Sequence, residues 1–303
     1  MGGFASFLRS CTLLISGLAT TAMSAGPQHP VAWGKTVFNG HWTEEQFTAI
    51  AAGGSHTMAL RPGGTLVAFG RNDEGQCIVP DPPIGSEYTQ IAAGAKHSVA
   101  LRRDGSIVAW GDNLSGQCNV PPLPRGLAYE KLAAGYYHTL ALRSDGELLA
   151  WGANNWGQTN VPALPAGTHY VDIAGGYLHS IALRSDGALV GWGEGSFGQT
   201  TAPPLPAGTS YVDLAAGSYF SLALRSDGVL VGFGQNKQGQ ATPPALPPGL
   251  AYTRFRAGYW FSVALRSDGS VVAWGINTYG ELNVPPLPAG KAYTEVSAGH
   301  DHG

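Results

Sequence analysis

Four histidines, His56, His97, His138 and His179, stand 41 residues apart, and the same count reaches Phe220, Phe261 and His302. Imidazoles held in register could ligate a metal or relay protons. The column argues against both, because a phenyl ring at two of its positions ligates nothing. It reads instead as structural, each ring hydrogen-bonding backbone near a repeat junction. His300-x-His302 is a separate pair, but a zinc centre needs a third protein ligand and none stands nearby in the sequence. Arg143, Arg184, Arg225 and Arg266 each precede Ser-Asp-Gly, so arginine and carboxylate recur as turn residues without converging on one pocket. No Ser/His/Asp or Cys/His set has an unrepeated member, as a nucleophile with its base would require. The expectation is a protein that is not an enzyme, with no catalytic residue, no metal and no cofactor.

What positions these residues is a repeat. Ala-Gly-x-x-His-Ser, Ala-Leu-Arg-Ser-Asp-Gly, Val-Ala-Trp-Gly, Gly-Gln, a proline-rich stretch and a Tyr return in the same order around each column position. A fixed period near 40 residues with several strand patterns per period marks a β-propeller. In residues 88 to 128, Tyr88 to Ala93 alternates as a first strand, Ser98 to Arg102 makes a second and Ser106 to Trp110 a third. Asp104-Gly105 between them predicts a tight hairpin with both central residues at positive φ. The proline run from Val120 cannot join a ladder and reads as an extended connector. Trp-Gly-type positions at Trp33, Phe69, Trp110, Trp151, Trp192, Phe233 and Trp274 predict an all-β, seven-bladed β-propeller built from 41-residue repeats. Its ring is expected to be closed by N- and C-terminal strands sharing the last blade, with Lys291 to Gly303 opening that repeat and Val31-Ala-Trp-Gly supplying its later strand. The strand between them has no source after Gly303, unless residues around Thr21 to Gly26 take its place.

Composition fits one domain over residues 26–303. There are 44 Gly and 21 Pro, and only 12% of residues are charged. Residues 1–25, with Arg9 ahead of the apolar stretch Cys11 to Leu18 and small residues at Ala22, Ser24 and Ala25, read as a secretory signal peptide. This predicts a secreted or periplasmic protein. No further membrane span follows. A net charge of −3 without a Lys/Arg cluster lacks the footprint that nucleic acid needs. Cys77 and Cys118 hold equivalent positions on neighbouring repeats, too far apart for a bridge, and are expected as free thiols.

The strings Ile-Ala-Ala-Gly-x-x-His-Ser-x-Ala-Leu-Arg-Ser-Asp-Gly and Val-Ala-Trp-Gly-x-Asn-x-x-Gly-Gln resemble the repeats of the regulator of chromosome condensation superfamily, from Val31 onward. The Gly-Gln-x-x-Val-Pro ending, the apparent export signal and the N-terminal Val-Ala-Trp-Gly strand are most similar to the bacterial β-lactamase inhibitor protein II type. The superfamily's nucleotide-exchange factors use an inserted wedge, which the gapless period leaves no room for. Its plant ultraviolet-B photoreceptor relies on tryptophans before the His position, where this chain has only Trp260.

Strand direction puts the loop before each His and the loop after each Trp-Gly on one face, and the Ser-Asp-Gly turns and proline connectors on the other. The turn face hardly varies and reads as solvated scaffold. The loop face varies and carries rings: Tyr136, Tyr137, Tyr177, Tyr219, Tyr259 and Trp260 in first loops, Trp156, Phe197 and Tyr279 in second loops. Other repeats manage there with Gly54-Ser55 or Ala95-Lys96, so the blade itself does not need a ring. Tyr and Trp on a rigid scaffold suit a protein interface, and Asp73, Glu74 and Asp112 would add polarity at one side. The plainer reading is that these rings pack on each other or on blade edges. In the inhibitor-type propellers these loops hold the target, so the resemblance implies a monomer that binds a protein partner such as a β-lactamase or penicillin-binding protein. The alternative is a carbohydrate-binding or cell-surface structural propeller module. Against a lectin stands the irregular series Lys96, Tyr137, Leu178, Tyr219 and Trp260 at one equivalent position.

Overall fold

Apolar residues alternating over five or six positions between Gly and Pro signals are what a strand covered on one face requires. The computed structural model describes residues 31–35, 46–286 and 292–303. Blade 1 consists of β1 (Ala49–Ala52), β2 (His56–Leu60) and β3 (Leu66–Gly70), and blade 2 of β4 (Tyr88–Ala93), β5 (His97–Arg102) and β6 (Ile107–Gly111). Blade 3 holds β7 (Tyr129–Ala134), β8 (His138–Arg143) and β9 (Leu148–Gly152), and blade 4 holds β10 (Tyr170–Gly175), β11 (His179–Arg184) and β12 (Leu189–Gly193). Blades 5 and 6 follow with β13 (Tyr211–Ala216), β14 (Phe220–Arg225), β15 (Leu230–Gly234), β16 (Tyr252–Ala257), β17 (Phe261–Arg266) and β18 (Val271–Gly275). Each blade is a three-stranded antiparallel sheet in sequence order. No helix among the described residues is long and apolar enough to cross a membrane.

The expected count of seven blades is corrected to six, because the described residues form six sheets. Val31-Ala-Trp-Gly and the segment that ends at Gly303 build no blade. They meet in an isolated antiparallel bridge between Gly34 and His302, where the Trp33 N–H donates to the Gly303 carbonyl (3.1 Å) and the Lys35 N–H to that of Asp301 (2.8 Å). The reason is the middle strand. In every blade it lends one edge to the inner strand and the other to the outer, and among the described residues these two segments have none between them. Thr21 to Gly26, the expected substitute, and the signal peptide of residues 1–25 lie outside the described residues.

The hairpin also differs from expectation. The Arg102 N–H donates the closing bond to the Ser106 carbonyl at 2.8 Å, the Gly105 N–H donates to the Arg102 carbonyl at 3.0 Å, and only Gly105 has positive φ (81°). This is a three-residue loop, a type I turn closed by a left-handed glycine, in place of the two-residue turn. Asp104 stabilises it by accepting from the Ser106 N–H at 2.9 Å.

Blades join through apolar clusters. At one junction Val99, Leu101 and Ile107 of blade 2 pack on Tyr129, Ala141 and Trp151 of blade 3. The Trp151 indole N–H also donates to the Gln117 carbonyl at 3.0 Å, pinning the preceding loop. Trp151→Ala therefore removes a buried ring and a buried donor, with an expected cost of about 3–5 kcal/mol in urea melts. A loss below about 1 kcal/mol would show that the ring does not hold the junction.

The histidine column crosses the same junctions, but it bonds a hydroxyl and not backbone as expected. His56 Nε2 meets Ser98 Oγ of the next blade at 2.9 Å, and His97 meets Thr139, His138 meets Ser180 and His179 meets Ser221 at 2.9–3.1 Å. Each hydroxyl donates onward to a loop carbonyl, as Ser98 does to Gln76 O at 2.8 Å and Ser180 to Gln158 O at 2.8 Å. The hydroxyl proton is thus committed, so Nε2 carries the imidazole proton and Nδ1 is bare. Nδ1 of all four rings is buried without a partner. His302 repeats the bond across the ring closure, to Thr57 Oγ1 at 3.0 Å.

Candidate functional site

The two loops of each blade share one face, as strand direction required. The first loop, between inner and middle strands, is held by backbone bonds to the next blade around the axis, the Ala95 N–H to Tyr136 O (3.0 Å) and Tyr136 N–H to Gly176 O (3.0 Å), and in blade 6 to the terminal segment, the Tyr259 N–H to Gly299 O (3.1 Å). The second loop is fixed by its buried Gln. Gln158 Oε1 accepts from the Trp156 N–H at 2.9 Å and Gln199 Oε1 from the Phe197 N–H at 3.1 Å, while Glu281 does the same for Tyr279 at 2.8 Å. Side chains on both loops therefore project from stiff backbone.

Seven of the nine expected rings come together. Tyr136 is the hub, with centroids 5.2 Å from Tyr137, 4.6 Å from Tyr177 and 5.8 Å from Tyr259. Tyr177 continues to Tyr219 at 5.4 Å, which meets Phe197 at 5.6 Å and Trp260 at 5.7 Å. His300, read in the sequence only as half of a chelating pair, closes the group by stacking on Tyr259 at 3.8 Å. Its equivalence to Tyr136, Tyr177 and Tyr259 one to four repeats away was the available signal. Burial among neighbouring tyrosines raises the phenol pKa of Tyr136, Tyr137, Tyr219 and Tyr259, so all four stay neutral donors at ordinary pH. The plainer sequence reading holds in part, since these rings pack on each other. Phe197, at 45% exposed, remains largely free to meet a partner.

Trp156 and Tyr279 stand apart from the cluster on second loops, exposed by 57% and 50%, with Lys35 Nζ over the Tyr279 ring at 4.8 Å. The three acidic residues are engaged within the fold. Asp73 pairs with Arg71 at 2.6 Å, and Glu74 with Lys96 at 3.1 Å. Asp112 is buried, accepting from Gln117 Nε2 at 2.9 Å and the Leu114 N–H at 3.1 Å, so it shapes its loop instead of facing a partner.

On the axis, the inner glycines of every blade and Gly299 surround a cavity of about 130 Å³ capped by Tyr136, Tyr177, Tyr259 and His300. Below it the inner strands carry charges that the sequence reading missed. Lys131 pairs with Asp172 at 3.0 Å, Arg254 and Arg256 approach Glu295 at 3.6 and 3.7 Å, and burial raises the Asp213 carboxyl. Gln90, Lys131, Asp172, Asp213, Arg254 and Glu295 stand one period apart, which is how they could have been found. No group of three or more His, Cys, Asp or Glu among the described residues is arranged to hold a metal. Cys77 and Cys118 are free, and partial burial lifts both thiols to about 11, which leaves them unreactive. On the opposite face the turn arginines are less solvated than expected. Arg143, Arg184 and Arg225 keep only 13–20% of their side-chain exposure while pairing with Asp145, Asp186 and Asp227.

Residues 47–76, 88–117, 129–158, 170–199, 211–240 and 253–281 match the regulator of chromosome condensation (RCC1) repeat, six matches for six blades. Among curated proteins none matches this chain in sequence. Solved structures do match. Prp20p of Saccharomyces cerevisiae, described with its binding to Gsp1p and histones, is 20% identical over 89% of each chain with a TM-score of 0.73. Human WBSCR16 is 18% identical over 86% of each chain, TM-score 0.72. The ectodomain of the Physcomitrella patens receptor kinase CR4 is 19% identical over 84% of this chain and 68% of its own, TM-score 0.67. At these identities the likeness is one of fold. With the repeat matched over more than half its length, the chain belongs to the regulator of chromosome condensation (RCC1) repeat family.

Proposed function

We propose that this propeller is a monomeric, non-enzymatic binding module that receives one protein partner on its aromatic loop face. The observation that carries the reading is the linked set Tyr136, Tyr137, Tyr177, Phe197, Tyr219, Tyr259 and Trp260, six of them at first-loop positions where blade 1 folds with Gly54-Ser55 alone. Such rings bring large contact area at little conformational cost. Other propellers of this fold bind proteins: Prp20p is described with Gsp1p and histones, and in a complex with Kap60. The finer proposal is an exported inhibitor of an extracellular or periplasmic enzyme, a β-lactamase or penicillin-binding protein. The sequence resemblance to inhibitor-type propellers supports it, together with the residue pattern of 1–25.

Purified protein titrated against a class A β-lactamase tests the finer reading, for which stoichiometric loss of hydrolysis is expected. Capture of proteins from culture supernatant tests the broader one. Saturable binding on a glycan array with no protein captured would replace it with the carbohydrate reading. Within the face, Trp260→Ala is expected to weaken partner binding by about 2 kcal/mol, roughly 30-fold. Its own stability cost should stay near 1 kcal/mol, since the ring is half-buried against Tyr219 and Tyr259. Arg125→Ala, exposed on the opposite face, should change neither by more than about 0.5 kcal/mol. Full binding by a folded Trp260→Ala protein would remove the face from consideration.

A further inference from the structure

Tyrosine and tryptophan do two different jobs in this molecule, and their polar atoms tell the jobs apart. Tyr88, Tyr129 and the equivalent tyrosine of each later repeat donate the phenol proton to a proline carbonyl at 2.6–2.9 Å. Trp110, Trp151, Trp192 and Trp274 donate the indole N–H to the carbonyl of a loop glutamine at 2.9–3.0 Å. The donors of the scaffold rings are thus committed. On the loop face, the hydroxyls of Tyr136, Tyr219 and Tyr259 and the indole N–H of Trp260 bond to no described group, and none of these atoms is sealed from solvent. An indole N–H can only donate, and burial keeps the three phenols protonated, so each ring carries a proton to give.

The carboxylates of the same face are engaged. Asp73 and Glu74 pair with Arg71 and Lys96, Asp112 and Glu194 accept from the buried Gln of their own loops, and Asp301 pairs with His300. Apart from phenols, the loops of blades 3 to 6 hold three ionisable side chains. Glu194 and Glu281 are buried and bonded within their loops, whereas Lys237, at the tip of the second loop of blade 5, is exposed and has no ion pair among the described residues. Blade 5 departs from its neighbours a second time. Where blades 2 and 4 place Asp112 and Glu194, it places the uncharged Gln235, whose Oε1 accepts from Gln240 Nε2 at 3.2 Å. An ammonium therefore stands on a loop without a carboxylate, on the blade that carries Tyr219 and beside the blade that carries Trp260, whose rings lie 5.7 Å apart.

We propose that the quarter of the loop face bearing Tyr219, Trp260 and Lys237 receives an acidic side chain, aspartate or glutamate, from the protein partner. This rests on the reading of the loop face as a protein-binding surface and specifies the chemistry that the surface selects. The carboxylate accepts charge-assisted bonds from the Lys237 ammonium and from the ring donors beside it, which a neutral side chain makes only weakly. A basic side chain would meet a like charge and donors with nothing to accept them, so the same groups reject the wrong partner.

The test uses the full chain and a phage-displayed library of random cyclic peptides. Peptides retained by the protein but not by its Trp260→Ala variant are those that bind the loop face, and they are expected to be enriched in Asp and Glu over the unselected library. Synthesised singly, they should bind the Lys237→Glu protein about tenfold or more weakly. Lys237 is exposed, so that variant should melt with the parent. Replacing the peptide's Asp or Glu by Asn or Gln should weaken binding to the parent and abolish the response to Lys237→Glu, as a double-mutant cycle requires of a direct pair. Trp260-dependent peptides that are neutral or basic, or acidic ones indifferent to Lys237→Glu, would overturn this proposal and leave the binding face standing. A library that yields no Trp260-dependent peptide would remove both. Lys237-dependent capture of uronate- or sialate-bearing glycans, with no acidic peptide selected, would also overturn it, because the carboxylate would then come from a sugar.

Discussion

Lowering the pH from 7 to 5 is expected to destabilise this propeller by on the order of 5–10 kcal/mol, a loss large enough to unfold it. Burial holds the imidazoles of His97, His138 and His179 down to about 3 and those of His56 and His302 to about 4. An unfolded histidine protonates near 6.5. The folded pKa is the lower one, so the unfolded chain takes up more protons between the two values, and stability falls as the pH falls. The contribution is complete above about 6.5 and lost progressively down to pH 3–4, at roughly 1.4 kcal/mol per pH unit for each ring. The geometry gives the same sign, since a protonated ring would carry a second N–H with no acceptor at Nδ1. Urea melts at pH 7, 6 and 5 read the slope directly, and a flat profile would mean that the rings are hydrated. The fold supplies its own control. Phe220 and Phe261 occupy the column in blades 5 and 6 and are fully buried, so His138→Phe should fold at pH 7 and recover about 2 kcal/mol of the loss at pH 5.

The second large effect is expected at Gly135. A Cβ there would stand 2.1 Å from His138 Cε1 and 2.8 Å from the Gly176 carbonyl oxygen. Neither neighbour can yield freely: the ring is bonded to Ser180, and the carbonyl accepts the Tyr136 N–H that links blades 3 and 4. Gly135→Ala should therefore cost about 3 kcal/mol. At Gly167, where a Cβ meets nothing within 4 Å and only a φ of +80° is at stake, the same change should cost about 1–2 kcal/mol. A double-mutant cycle with His138→Ala separates clash from backbone strain. Strict additivity would show that the imidazole is not what the glycine makes room for.

Most of the blade was legible because each strand repeats six times in one chain, so turn residues and buried positions could be compared internally. The count of blades was not. Trp-Gly marks an outer strand, and Trp33 shows that an outer strand can pack and hydrogen-bond without a sheet, so counting tryptophans overcounted. The aromatic cluster was legible from its spacing, because equivalent loop positions on adjacent blades must converge toward the axis. His300 escaped because its chemistry suggested ligation while its position suggested stacking. Asp112 misled for the converse reason. It sits in a loop, but Glu194 does the same work in blade 4, bonding the loop Gln199 and accepting from the Ser196 N–H, so a carboxylate there is part of the loop's construction.

The bond that joins the two ends of the ring, His302 to Thr57, spans 245 residues where its counterparts between adjacent blades span 42. For a flexible chain, closing the longer loop costs only about 1.6 kcal/mol more, because the entropy of closure grows with the logarithm of length. Blades already stacked in order shorten the free path further. Joining first to last is thus a small entropic step, within reach of one imidazole–hydroxyl bond and the Trp33 ring seated on Val263 and Leu265.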